Sequence, residues 1–190
     1  MNIYIRSLKI LITLIYRKME KDVNEIIPGV WLGNYKAAYS QRFIKNYNIG
    51  CVLTIMDEFD NRYKLPNVIY FTIPITDKMI CTVNTNTMMN MFDRTNEIIK
   101  EALLNNKNIL IHCRRGHHRS ASVVCAFLIK YINVEYMDAL QYINMLRPKA
   151  LMKDKCITRE LFKYTLYLNN INSNKIKCIM GNFCYYVCGD

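Results

Sequence analysis

Apolar residues recur along this chain at two spacings, and the switches between them predict its elements. Over residues 1–21, Tyr4, Leu8, Leu11, Ile12, Ile15 and Met19 fall on one helical face, with Arg6, Lys9, Thr13 and Arg17 on another. Residues 25–34 (Glu-Ile-Ile-Pro-Gly-Val-Trp-Leu-Gly-Asn) read as two short strands around a Pro-Gly turn. A helix is predicted over 36–47, with Ala37, Ala38, Phe43 and Ile44 turned inward, and 50–56 and 68–75 have strand composition. Residues 88–105 return to helical spacing, with Met88, Met91, Phe92, Thr95, Ile98, Ile99 and Ala102 on one face. The apolar run at 108–113 reads as a buried strand. A polar stretch with one glycine follows, then helical spacing through Val123, Val124, Phe127, Leu128, Tyr131 and Ile132. Helices over 136–146, closed by Arg147-Pro148, and over 158–168 complete the ordered pattern.

Composition narrows the class. A chain of 190 residues allows one domain with short extensions, and a 52% apolar fraction supplies a sizeable core. The net charge of +11 favours anionic partners: phosphorylated substrates, nucleic acid or acidic membrane. A generally basic, soluble surface accounts for much of that excess. The eleven methionines fit core packing on helical faces better than metal binding. The eight cysteines lack paired metal-type spacing, so neither a metal nor any other cofactor is expected. No cleavable signal precedes them, which predicts a cytoplasmic protein without structural disulfides.

The ends leave alternatives open. Residues 1–21 are too short, and too interrupted by Lys9, to span a bilayer. They read as a helix packed on its own domain or on a second subunit, as a basic helix lying on a membrane surface, or as a start set too early, with Met19 as the true beginning. The tail beyond Asn169 carries Cys178, Cys184 and Cys188 among aromatics, in no common zinc pattern, and is expected to be loosely packed with free thiols.

The chemistry concentrates where the 108–113 strand ends, in His112-Cys113-Arg114-Arg115-Gly116-His117-His118-Arg119-Ser120. A strand, a loop and a helix N-terminus form an anion cradle, because the first helical amides lack partners and point into the loop. Amide dipoles and a guanidinium around the Cys113 thiol favour the thiolate, which is the reactive form. The planar fork of Arg119 suits two phosphoryl oxygens, and its grip tightens as charge builds on them during transfer. Gly116 lets the backbone turn close to a ligand. Ser120 is placed to donate a hydrogen bond to the departing sulfur, and His112 to orient the loop while pointing away from the substrate.

His-Cys-x-x-Gly-x-x-Arg-Ser followed by Ala-Ser-Val-Val resembles the cysteine-dependent dual-specificity protein phosphatases over roughly residues 25–168. The Leu32-Gly33-Asn34 segment is similar to the opening of their catalytic domain. It is closest to the poxvirus branch, where an N-terminal helix mediates dimerisation, so the resemblance implies a homodimer. Family members carry a general acid after an Ile-Pro-x-x strand, which falls here on Asp77 of Ile73-Pro74-Ile75-Thr76-Asp77, expected on a mobile loop. Asp57, Glu58 and Asp60 are rivals from another loop. Asn61-Arg62-Tyr63 matches a tripeptide of the large tyrosine-specific phosphatases but stands only about 50 residues before Cys113, and is read as coincidental. Without that loop the pocket should be shallow, admitting phosphoserine and phosphothreonine as well as phosphotyrosine.

The resemblance implies an α/β fold with a central, mostly parallel sheet flanked by helices. It divides the chain into an extension (1–21), a catalytic domain (22–170) and a tail (171–190). The implied activity is hydrolysis of phosphoprotein monoesters through a phosphocysteine, with Cys113, Arg119, Asp77 and Ser120 catalytic and the backbone from Arg114 to Arg119 binding phosphate. One departure keeps a second enzymatic reading open. Arg114, Arg115, His117 and His118 fill cradle positions that are usually small or apolar, and four potential cations favour highly charged substrates. That loop also resembles those of phosphatases acting on inositol pyrophosphates, and RNA 5′-triphosphatases are a further precedent. If these side chains point outward, only their amides matter. No obligatory nucleic-acid partner is expected. A non-catalytic phospho-binding module is the third reading, disfavoured because Cys113 and Arg119 are both present.

Overall fold

A computed structural model describes residues 22–57, 59–151 and 156–171. The expectations for residues 1–21, for Glu58 and for Cys178, Cys184 and Cys188 lie outside the described residues.

Among the described residues, five strands form one sheet: β1 (Val23–Ile27), β2 (Val30–Asn34), β3 (Ile49–Ile55), β4 (Ile69–Ile73) and β5 (Asn108–Cys113), in the order β1-β2-β5-β3-β4. Only β1 runs antiparallel, as the near arm of the predicted hairpin; Gly29 turns it at φ +82°. The other pairings are parallel. β5 lies centrally between β2 and β3, which explains its unbroken apolar run: both faces are covered. Ile109, Ile111 and Cys113 enter one core layer and Leu110 enters the other.

The layer on the Leu110 face is built by α1 (Tyr35–Tyr39) and α2 (Gln41–Asn46), which bury Ala37, Ala38, Phe43 and Ile44. The opposite layer holds α3 (Asp77–Thr82), α4 (Thr85–Leu104), α5 (Arg119–Tyr131), α6 (Tyr136–Leu146) and α7 (residues 156–171). The seven residues predicted for the inner face of the 88–105 helix are all buried in α4. Among the described residues, no helix is long and apolar enough to cross a membrane.

Two expectations are corrected. The single helix predicted over 36–47 is two helices meeting at Ser40. Its backbone N–H donates to the Ala37 carbonyl while its hydroxyl accepts from the Phe43 amide, so one extended residue caps both. A chain without structural disulfides was expected, yet Cys81 of α3 is bonded to Cys156 at the start of α7. The two lie 75 residues apart in sequence but have Cα atoms 5.3 Å apart. Their neighbours Ile80 and Ile157 are buried in the same core layer, and that packing brings the sulfurs together.

Candidate active site

β5 delivers Cys113 to the C-terminal edge of the sheet, opposite Asn34 at the end of β2. The chain then loops through 114–118 and enters α5 at Arg119. The pleat aims consecutive side chains at opposite faces. Cys113 therefore turns toward α5, while His112 turns to the other face, where its Nε2 lies 2.7 Å from the Thr54 hydroxyl. His112 points away from the loop interior, as the sequence suggested.

Cys113 is 3% exposed, and its sulfur accepts hydrogen bonds from the Gly116 amide at 3.2 Å and the Ser120 hydroxyl at 3.3 Å. Both donors stabilise negative charge on it. The loop closes this tightly because residue 116 is glycine. Its φ is +68°, and a Cβ there would lie 2.5 Å from the Gly33 carbonyl oxygen. Arg119, buried at the first turn of α5, donates from Nη1 to the Ile75 carbonyl at 2.9 Å. Its Nε lies 2.9 Å from Asp77 Oδ1. Cys113, Gly116, Arg119, Ser120 and Asp77 thus converge on one loop.

Asp77 is the first residue of α3, behind the Thr76 cap, rather than a loop residue; the Thr76 hydroxyl accepts from the Met79 amide and starts the helix there. Its carboxylate is largely exposed. Of its rivals, Asp60 is engaged elsewhere: it grips Arg62 through paired hydrogen bonds and caps the helical turn at Asn61–Tyr63, interactions that hold its carboxyl below the usual range. Arg114 and Arg115 are exposed, and His117 and His118 are half-buried.

The catalytic-domain model of the dual specificity phosphatases matches residues 30–166. The chain belongs to that family. It is 30% identical over 125 residues to dual specificity protein phosphatase 1 of Arabidopsis thaliana, covering 66% of this chain and 60% of that protein. It is 25% identical over 132 residues to the serine/threonine/tyrosine-interacting protein of Mus musculus, covering 66% and 57%. The chain thus spans less than two thirds of the length of either relative. The crystal structure of human DUSP28 has the same fold, with a TM-score of 0.70 at 18% identity, over 80% of this chain and 97% of that one.

Within this dual specificity phosphatase domain, the structure adds a residue that the sequence showed only as a helix end. Arg147, 6% exposed, donates from Nε to the Gly116 carbonyl at 2.7 Å and from Nη1 to Asn24 Oδ1 at 2.7 Å. Burial pushes its guanidinium down from the usual range, against an upward pull from Cys113 and Asp22. Four residues on, the Leu151 amide donates to the His117 carbonyl at 2.8 Å from a backbone at φ +57°. That conformation costs a non-glycine residue on the order of 1 kcal/mol or more. In a trans peptide the N–H opposes the C=O. Fixing the carbonyls of 116 and 117 outward therefore aims the amides of His117 and His118 inward, toward an anion.

His112 supplies a pH test. Burial pushes its imidazole down to about 4, against a smaller lift from the Cys113 backbone. The unfolded chain takes up a proton near the ordinary histidine value of about 6.5, which the folded domain refuses. Stability should hold above that value and fall as pH drops from about 6.5 toward 4, by at most about 3 kcal/mol from this residue. Thermal melts across that range check it, and in His112→Asn the acid-side slope should flatten.

Proposed function

We propose that this domain hydrolyses phosphate monoesters of phosphotyrosine, phosphoserine and phosphothreonine in proteins, through a phosphocysteine intermediate. The observation that carries it is the convergence on one sulfur: two donors within 3.3 Å of Cys113 Sγ, with Arg119 linked to Asp77 alongside. Cys113 attacks phosphorus as the thiolate, forming an S–P bond as the P–O bond to the leaving group breaks. Asp77, protonated, gives its proton to the departing oxygen. Arg119 and the inward amides hold the three remaining phosphoryl oxygens, most strongly when the group is planar. Asp77, now a carboxylate, takes a proton from water. That oxygen attacks phosphorus, the S–P bond breaks, phosphate leaves, and Ser120 donates to the returning thiolate.

A phosphoryl group entering the loop competes with Asp77 for the Arg119 Nε. Binding thereby frees the carboxyl to turn to the leaving-group oxygen.

Asp77→Asn should slow hydrolysis of alkyl phosphates on the order of 10²–10⁴-fold while leaving binding intact. An aryl ester with an acidic phenol, which leaves without a proton, should lose far less. Comparing kcat on the two substrates checks this, and full rate on the alkyl ester would move the acid role elsewhere.

The exposure of Arg114 and Arg115 at the rim supports a second reading, action on inositol pyrophosphates or RNA 5′-triphosphate ends. Turnover of phosphopeptides, an inositol pyrophosphate and triphosphate-ended RNA, measured side by side, tests the two readings. The likeness to the poxvirus branch, a cytoplasmic location, and homodimerisation or membrane contact through residues 1–21 are further proposals. The dimer is tested by mass in solution with and without that segment.

A further inference from the structure

Beside the loop stands a row of aromatic rings that the hydrolytic mechanism does not use. β2 ends level with Cys113, so α1 begins against the loop, its Tyr35 amide 3.5 Å from the Arg114 carbonyl. Tyr35 and Tyr39, one turn apart, have ring centroids 5.8 Å apart. Tyr39 stacks flat on Tyr63, at 4.3 Å and 1°. Phe59, 7% exposed, packs edge-on against Tyr39 at 5.1 Å and reaches the His112 ring at 5.8 Å, so the row is seated on the residue that precedes the nucleophile.

Five of the ten described tyrosines use their hydroxyls inside the protein. The hydroxyls of Tyr70, Tyr131, Tyr136, Tyr142 and Tyr164 are hydrogen bonded within the protein. Among the described residues, those of Tyr35, Tyr39 and Tyr63 have no such partner; nor do those of Tyr47 and Tyr167, but the first three adjoin one another in a single row. Phenylalanine would pack as well, so three phenols with open hydroxyls at a half-exposed edge suit a ligand better than a core. At the Tyr35 end, Lys36 and Arg114 are exposed and give a positive margin, while at the Tyr63 end Asp60 is paired with Arg62.

We propose that Tyr35, Tyr39 and Tyr63 form a specificity subsite that seats an aromatic side chain of a phosphoprotein substrate, within three residues of the phosphorylated one and next to acidic residues. The proposal rests on the phosphatase reading and names the substrate feature it would select. An extended peptide advances about 3.3 Å per residue, so one to three positions from the phosphorylated residue span roughly 3–10 Å along a surface that begins where α1 meets the loop. Tyrosine and arginine are the residue types that carry most interface energy, and the positive margin complements acidic neighbours.

The test uses phosphothreonine peptides with flanking aspartates, in which one position at a time, from three before to three after, is alanine or phenylalanine. Phenylalanine at one flank should raise kcat/KM about tenfold over alanine. In Tyr35→Ala and Tyr63→Ala that preference should vanish, read as the ratio of peptide to aryl phosphate kcat/KM. Tyr35→Leu and Tyr63→Leu, which keep apolar bulk, serve if the alanine variants fold poorly. No preference at any position, or a preference that survives the substitutions, overturns the subsite. So does preferential loss on triphosphate-ended RNA, which would make a base the occupant. Peptide affinity of Cys113→Ser, read by fluorescence anisotropy, reports the subsite without turnover, so its failure and failure of the hydrolytic reading can be told apart.

Discussion

Cys113→Ser should reduce turnover of an aryl phosphate on the order of 10⁶-fold while leaving affinity for inorganic phosphate nearly unchanged. The substitution keeps the side-chain position and the two donors to it, from the Gly116 amide and the Ser120 hydroxyl. It replaces a strongly nucleophilic sulfur by a hydroxyl oxygen, which is a weak nucleophile without a base beside it. Arg119 and the inward amides do not depend on the sulfur, so binding survives. Among the described residues, the other free thiols are poor substitutes: burial pushes Cys51 up to about 12, against a slight pull from Lys107, and pushes Cys125 up as well. Steady-state kinetics together with calorimetric phosphate binding check the prediction. A serine variant of full activity would move the nucleophile elsewhere, whereas phosphate binding by a wild-type protein that turns nothing over would favour the phospho-binding module.

Arg119→Lys should cost on the order of 10³-fold in kcat, with a smaller rise in KM. The charge is kept, so ground-state attraction to the phosphate largely remains. What goes is the planar fork. Arg119 is braced by its Nη1 bond to the Ile75 carbonyl, so the fork stays aimed at the equatorial oxygens when phosphate displaces Asp77 from Nε. A lysine ammonium is a single flexible point that cannot hold that carbonyl and two phosphoryl oxygens together. A rise in KM and a matching loss of phosphate affinity, with kcat unchanged, would mean that the arginine serves binding alone. The measurement is kcat and KM on one aryl phosphate, with phosphate inhibition in parallel.

What could be read from the chain follows the distance over which each feature is made. The cradle was legible because Cys113, Gly116, Arg119 and Ser120 lie within eight consecutive residues, and a strand, a loop and a helix fix their mutual geometry locally. α4 and β5 were legible because burial on one face leaves a period in the sequence and burial on both leaves an unbroken apolar run. The break at Ser40 was a local signal outweighed by the apolar positions on either side of it. Arg147 was not legible as a brace, since its partners at Gly116 and Asn24 lie 31 and 123 residues away. Nothing in one sequence distinguishes an arginine that ends a helix from one folded back beneath a loop. The placement of Asp77 came through family resemblance, but its position as the first residue of a capped helix was written in Thr76.

The bond between Cys81 and Cys156 has a practical corollary. A reagent that keeps the nucleophile from oxidising works by thiol–disulfide exchange, and the same exchange can open this cross-link. One of its ends sits four residues beyond Asp77 on a six-residue helix; the other starts the helix that ends the described chain. Preparations handled in air and under dithiothreitol should therefore differ at this bond, one with the carboxylate's helix moored to α7 and one with it unmoored, and a free-thiol count on each checks it. Rate constants gathered from the two belong on separate axes.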